Sequence, residues 1–364
     1  MRRWPIGAGL TLGAAAGALT VEALARQVLR VRSSPPYRHD LLGVGTDAVL
    51  LGRDAATELP GRYGLAWPEG HAVIGEVLEQ NEHTVLRRLE RVQRGVPMPG
   101  RCALDHIEVG DPRSALGLDF RSVTLDSDAG ALPAWWVPGE DGAPWVLLAH
   151  GYGGSLVSSL SFLPLIARLG ANALVVSYRN DPGAPPSPDR RYHLGIDEWR
   201  DLDAGIGFAL ENGAKRIALF GWSMGGGIAL RALAKSNRRD AICALVLDAP
   251  VLDWAAIIRH VGRRVPAPVV ALVLYRLESL LRAPLSELDH LSPAGELDRP
   301  VLCFHGGRDE LVPVHHSRLL ADRAAESVTL VVDERAGHVG AYNVDPAAYE
   351  QQLHEFLAGV LFED

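Results

Sequence analysis

The sequence predicts an α/β protein: a mostly parallel, doubly wound sheet with helices on both faces, a helical cap inserted late in the chain, and a small β unit in front. Three observations carry this reading. From about Asp111 onward, short apolar runs alternate with stretches of helical length. Those runs lack polar alternation, the pattern of strands buried on both faces. The 364 residues give enough chain for one large α/β domain with an appendage.

Taken in order, the first apolar strand spans 145–149, and a glycine-rich turn and a helix over 161–169 follow it. Residues 173–178 form the next strand and 197–211 the next helix, and the strand over 216–220 runs into Gly221 and another helix. Strands over 244–248, 300–304 and 328–332 and a final helix over 346–361 complete the pattern. The stretch 251–298 is too long and too apolar for a plain crossover, and reads as helices laid over the sheet end; an ordinary crossover helix with a long loop is the alternative. In such sheets ligands sit beyond the carboxyl ends of the strands, so the chemistry belongs in the loops after them.

Ahead of this domain, 33–110 reads as a small antiparallel β unit, with runs at 72–78 and 84–89 separated by turn residues, although a helix over 74–92 competes. It carries no recognisable chemistry. The linker around Ser33-Ser34-Pro35-Pro36 separates it from residues 1–32, where an uncharged apolar run, 4–21, lies between Arg2-Arg3 and Arg26. At about 1.5 Å per residue this run is marginal for the hydrocarbon core. The expectation is a single uncleaved N-terminal anchor and a membrane-associated protein; a cleaved signal and a soluble apolar helix are the alternatives.

Charge narrows the partners. A formal charge of −8 and no basic patterning exclude nucleic acid. Cys102, Cys243 and Cys303 show no paired spacing for a disulfide framework or zinc. No cofactor is expected.

Gly221-Trp222-Ser223-Met224-Gly225 matches G-x-S-x-G between a strand and a helix, the context in which a serine is held at the tip of a sharp turn. A serine hydroxyl is a weak nucleophile at neutral pH and needs a base, itself oriented by a third group. Asp309, after the 300–304 strand, and His338, after the 328–332 strand, come in the order Ser, acid, His. Asp248 and Asp333 are rival acids, and His315 and His316 rival bases. The backbone N–H groups of Met224 and Tyr152 are the candidate oxyanion donors, Tyr152 from the loop His150-Gly151-Tyr152-Gly153-Gly154. His150 reads as a structural strand-end histidine. Arg179, after another strand, is a weaker candidate for binding a substrate carboxylate, with a loop-fixing salt bridge to Asp181 or Asp189 as the alternative.

His150-Gly151, Gly221-Trp222-Ser223-Met224-Gly225-Gly226, Gly307-Arg308-Asp309 and Gly337-His338, in that order, resemble the α/β-hydrolase superfamily, above all its carboxylesterase-like and dipeptidyl-peptidase-like serine hydrolases. The resemblance covers about 111–364. It implies Ser223 as nucleophile, Asp309 as acid, His338 as base, and a small-molecule ester or related acyl substrate cleaved through an acyl-enzyme. A peptidase or acyltransferase with the same triad, and a catalytically silent membrane-tethered binding module, are the alternatives.

Overall fold

The structure, a computed structural model, describes residues 19–32 and 37–362. The Ser33–Pro36 linker and most of the apolar run 4–21 lie outside the described residues.

The described chain opens with a helix over 19–28, α1. Six strands then close into an antiparallel barrel: β1 (His39–Val44), β2 (Ala48–Gly52), β3 (Tyr63–Trp67), β4 (Gly70–Gln80), β5 (Thr84–Arg94) and β6 (Gly100–Asp105), in the order β1-β2-β5-β4-β3-β6. Closure by the β1–β6 pairing leaves no open sheet edge. The barrel interior holds Leu41, Val49, Leu51, Leu65, Ile74 and Cys102. The stretch 74–92, readable as helix or strand, is split between β4 and β5, because Asn81 caps a tight turn by accepting the N–H groups of His83 and Thr84 at 2.9 Å.

The ladder between β4 and β5 slips in register between Ile74 and Val77, which frees the Gly75 carbonyl. Arg87 fills that gap. It is fully buried without a carboxylate partner, and its guanidinium donates to the carbonyls of Gly75, Thr57, Leu59 and Gly61 at 2.6–3.0 Å. Burial lowers its pKa. One side chain thereby shapes the loop that leaves β2.

After the short helix α2 (Pro112–Leu116) comes an eight-stranded sheet in the order β14-β13-β12-β11-β9-β10-β8-β7. The hairpin β7 (Arg121–Ser127) and β8 (Gly130–Val137) joins antiparallel at one edge. The sequence reading left this hairpin out, since as an edge β7 keeps polar residues on its open face. The remaining strands run parallel: β9 (Trp145–Ala149), β10 (Asn172–Val176), β11 (Ile217–Trp222), β12 (Ile242–Asp248), β13 (Val301–Gly306) and β14 (Val328–Asp333).

Alternation along each buried strand feeds two apolar layers. Trp145 and Leu147, Ile217 and Leu219, and Leu245 and Leu247 face the layer that holds α4 (Glu198–Glu211), α5 (Met224–Lys235) and α8 (His315–Arg323). Val146 and Leu148, Ala218 and Phe220, and Ala244 and Val246 face α3 (Leu163–Arg168) and α10 (Pro346–Phe362), ahead of which lies the one-turn α9 (Ala341–Val344). Truncating one of these leucines to alanine costs about 2–5 kcal/mol, so the rim that carries the loops is a stiff one.

Between β12 and β13, α6 (Trp254–Val261) and α7 (Ala267–Leu281) rise off the sheet end. α1 packs on them: Ala25 and Leu29, both fully buried, join Leu194, Val273, Leu274 and Leu277 in one apolar cluster. Glu22 binds Arg276 of α7, and the Tyr192 N–H donates to the Leu29 carbonyl at 3.0 Å. This corrects the expectation of a membrane anchor and a membrane location. Among the described residues no helix is long and apolar enough to cross a membrane; Ala25 and the adjoining Leu29 are buried against the protein, while Leu19 and Leu24 of α1 are exposed.

Candidate active site

Ser223 sits between β11 and α5 at φ 53°, ψ −120°, a conformation that a non-glycine residue holds only when its surroundings impose it. Here backbone bonds impose it: the Ser223 N–H donates to the Asp248 carbonyl at 2.8 Å, and the Ser223 carbonyl accepts the N–H groups of Gly226 and Val251 at 3.1 and 2.9 Å. The flanking glycines are a steric requirement. A Cβ at Gly225 would stand 2.0 Å from the Ala149 carbonyl oxygen, and one at Gly221 would stand 2.3 Å from that of Gly225. The G-x-S-x-G spacing thus lets α5 start hard against the strand ends.

Asp309 and His338 reach the same spot from the loops after β13 and β14. His338 Nδ1 lies 2.7 Å from Asp309 Oδ2, and His338 Nε2 lies 2.9 Å from Ser223 Oγ. The other oxygen of Asp309 accepts the N–H groups of Leu311 and Val312 at 2.9 and 2.8 Å, which fixes the plane of the carboxylate. Burial alone would raise the Asp309 pKa. The imidazoles of His338 and His305 and the Val312 N–H outweigh it, and hold the carboxyl well below the usual carboxylate range. Val339, next to the base, has φ 50°, costly for a β-branched residue.

The rivals are placed elsewhere and, among the described residues, make no hydrogen bond to the side chains of Ser223 or His338. Asp248 is fully buried, accepts the Tyr349 hydroxyl at 2.9 Å, and is pushed up to about 6 by burial. Asp333 binds Arg335, and His315 and His316 open α8. His150 Nε2 lies 2.6 Å from Asp181 Oδ2 and its Nδ1 2.9 Å from the Gly151 carbonyl, so both ring nitrogens have partners other than Ser223. Burial works against the imidazolium there, but Asp181 beside it raises the pKa overall.

Arg179 requires a correction. Its guanidinium makes two 2.8 Å bonds to Asp201 and a further one to Asp128, and it is not among the residues that line the cavity around Ser223. It fixes a loop, and the partners are neither Asp181 nor Asp189 but carboxylates brought in by α4 and the β7–β8 turn. With two carboxylates holding Nε and Nη2, and no place in the cavity lining, this guanidinium is not positioned for a substrate carboxylate.

Ser223 and His338 open onto a cavity of about 880 Å³. Tyr152 lines it, and the backbone N–H groups of Tyr152 and Met224 make no hydrogen bond to a protein acceptor among the described residues. Gly151 lies tight against the serine: a Cβ there would be 3.0 Å from Ser223 Cβ. Trp254, Ile257 and Ile258 of α6 with Val270 and Val273 of α7 form an apolar wall, and Leu24 and Val28 of α1 extend it. The sequence reading missed the barrel's share: Leu59, Tyr63 and the turn 104–107 line the same cavity. No local pattern announces this, because those residues become cavity wall only once the barrel docks.

Residues 144–286 match the family model for the alpha/beta hydrolase fold, and residues 40–104, most of the barrel, match a domain of unknown function, DUF8805. The chain is 28% identical over 219 residues to the alpha/beta hydrolase domain-containing protein WAV2 of Arabidopsis thaliana, covering 58% of this chain and 68% of that protein. It is 29% identical over 235 residues to a monoacylglycerol lipase of Mycolicibacterium smegmatis, covering 54% and 81% of the two. Among solved structures, the Pyrococcus furiosus esterase Pf2001 superposes with a TM-score of 0.56 at 24% identity, over 70% of this chain and 96% of the esterase. The parallel sheet, the sharp turn at its centre and these likenesses agree: residues 144–286 carry the alpha/beta hydrolase fold.

Proposed function

We propose that this protein is a serine hydrolase that cleaves carboxylic esters through an acyl-enzyme intermediate. One observation carries the reading: an unbroken line of contacts, 2.7 Å from Asp309 to His338 and 2.9 Å from His338 to Ser223, ends on a serine held at φ 53° and open to a cavity. Asp309, kept ionised, accepts Nδ1–H of His338 and so leaves Nε2 free to take the Ser223 proton. Ser223 Oγ then bonds to the ester carbonyl carbon, and the negative charge that moves to the carbonyl oxygen is held by the N–H groups of Met224 and Tyr152. Met224 opens a helix whose first amides lack intrahelical acceptors and whose dipole favours that charge. Collapse breaks the bond to the alcohol oxygen, which receives the proton from His338. Water repeats the sequence in reverse and releases the acid.

The apolar wall from α6, α7 and α1 supports an aliphatic acyl group, with 251–298 acting as a cap over the site. Two likenesses point the same way, the lipase by its printed name and the esterase by its fold. The test is direct. Wild-type protein hydrolyses p-nitrophenyl octanoate and is labelled covalently by a fluorophosphonate, while Ser223→Ala is inert to the probe and loses at least a thousandfold in turnover. An unlabelled, folded wild type, or a Ser223→Ala variant as fast as wild type, overturns the proposal.

A further inference from the structure

The barrel docks on the hydrolase at two places, both beside the reacting groups. Leu59 packs on the loop of the base: a Cβ at Gly337 would meet Leu59 Cδ1 at 2.6 Å. Just beyond, the Arg62 N–H donates to the Asn343 carbonyl at 2.9 Å. On the other side, His106, at the end of β6, places Nε2 2.9 Å from Ser158 Oγ. Ser158 adjoins the loop that carries Tyr152: a Cβ at Gly154 would be 3.0 Å from its hydroxyl.

His106 is peculiar in what it faces. Its side chain is 42% exposed, and His106 is among the residues that line the cavity. Partial desolvation, with the imidazoles of His150 and His71, lowers its pKa against the pull of Asp105, which favours the neutral ring. A neutral imidazole has one donor and one acceptor nitrogen. Nε2 is taken by Ser158, and Nδ1 has no hydrogen-bond partner among the described residues. Other polar side chains on that side have partners for part of their atoms: the Tyr63 hydroxyl donates to the Pro60 carbonyl, Tyr342 to Glu350 and Asn343 Nδ2 to the Arg62 carbonyl, and Asp105 Oδ1 accepts the His106 N–H. If Ser158 donates to Nε2, Nδ1 is a spare donor; if Nε2 donates to Ser158, Nδ1 is a spare acceptor. A hydroxyl group satisfies both cases, because it donates and accepts.

We propose that the barrel supplies the recognition residue of this site, with His106 binding a hydroxyl on the alcohol portion of an ester whose aliphatic acyl chain lies along the wall of α6, α7 and α1. This rests on the serine hydrolase reading and adds the substrate class: an acyl ester of a polyhydroxylated alcohol. The alcohol is assigned to the barrel side because the wall of α6, α7 and α1 is apolar, whereas the barrel brings polar lining groups, His106 among them, to the same cavity. The apolar wall leaves the acyl chain the opposite requirement, burial without hydrogen bonds.

The experiment compares two esters of one acyl chain on the full-length protein: glycerol 1-monooctanoate, which presents hydroxyls, and methyl octanoate, which presents none. The readout is the ratio of their kcat/KM values, so that any general loss cancels. One hydrogen bond contributes about 1–1.5 kcal/mol, roughly tenfold. His106→Ala is expected to lower the glycerol-to-methyl ratio about tenfold, mainly through KM, and His106→Gln, which keeps a donor and an acceptor, to restore part of it. Ser158→Ala, which frees the ring to turn, is expected to lower the ratio by a smaller factor. A ratio that stays within twofold of wild type in folded His106→Ala overturns the proposal. If His106→Ala does not fold, His106→Phe, which fills the space but offers neither donor nor acceptor, decides by the same criterion. Fluorophosphonate labelling separates the two readings: labelled enzyme with an unmoved ratio refutes the role of His106 alone, whereas folded wild type that is neither labelled nor active on either ester refutes the serine hydrolase reading beneath it.

Discussion

Replacing Asp309 by Asn tests the relay at its least ambiguous point, because the structure dictates how the new amide must sit. Oδ1 of Asp309 accepts two backbone N–H groups, from Leu311 and Val312, at 2.9 and 2.8 Å. An asparagine has to keep its carbonyl oxygen there. The reversed amide would point N–H at N–H and forfeit two hydrogen bonds, each leaving a buried donor unsatisfied at about 1–3 kcal/mol. The NH2 group is therefore driven into the place of Oδ2, 2.7 Å from His338 Nδ1. It can only donate, so Nδ1 must accept and the ring proton moves to Nε2, where it faces Ser223 Oγ and blocks removal of the serine proton. The wrong tautomer, together with loss of the carboxylate that stabilises the imidazolium, costs about 4–5.5 kcal/mol in the barrier, a fall of roughly 10³ to 10⁴ in kcat with KM little changed. The assay is steady-state hydrolysis of p-nitrophenyl octanoate, with the rate of fluorophosphonate labelling followed in parallel. Both rates should fall together, since both need the deprotonated serine. Retention of more than a tenth of wild-type kcat would refute the reasoning.

Two further predictions concern stability. Asp248 has no exposure, its Oδ1 lacks a partner, and its pKa is pushed up to about 6 from an ordinary value of 3.8, so the folded state holds its proton more tightly than the unfolded chain does. Its contribution to stability is present below pH about 4 and is lost as pH rises through 6, up to about 3 kcal/mol. Asp248→Asn removes that loss, and urea unfolding should show the variant gaining stability over wild type at pH 8 but not at pH 4. A variant with the same pH dependence as wild type contradicts the assignment. Arg87→Met should destabilise the barrel by about 3 kcal/mol or more, because the buried carbonyls of Thr57 and Gly75 and those of Leu59 and Gly61 lose their donor. Denaturant unfolding measures it, and an effect below 1 kcal/mol contradicts the account.

The residues that share the site were legible because each is announced locally. Ser223 is framed by glycines whose spacing is a steric requirement, and Asp309 and His338 follow apolar runs that can only be buried strands. The parallel strands were readable for the same reason, and the β7–β8 hairpin was not, since an edge strand with one polar face lacks that signature. Arg179 misled because its partners, Asp128 and Asp201, lie 51 and 22 residues away, and no window of sequence shows that its charge is already spent.

Segment 19–28 is the sharpest contrast. The apolar run behind the anchor expectation, 4–21, lies mostly outside the described residues; where the described chain begins, Ala25 and the adjoining Leu29 pack against Val273 and Leu277, a contact that no window of sequence shows. The barrel teaches the same lesson from the other side. Its alternating runs marked a small antiparallel β unit, but its closure into a barrel rests on the pairing of β1 with β6, and that His106 lines the cavity beside Ser223 depends on how two folded bodies meet. Local pattern decides which elements form and where their loops emerge, because backbone hydrogen bonding and burial act over a few residues. Which surfaces then face one another depends on complementarity between residues far apart in the chain, and that was decided in the tertiary structure.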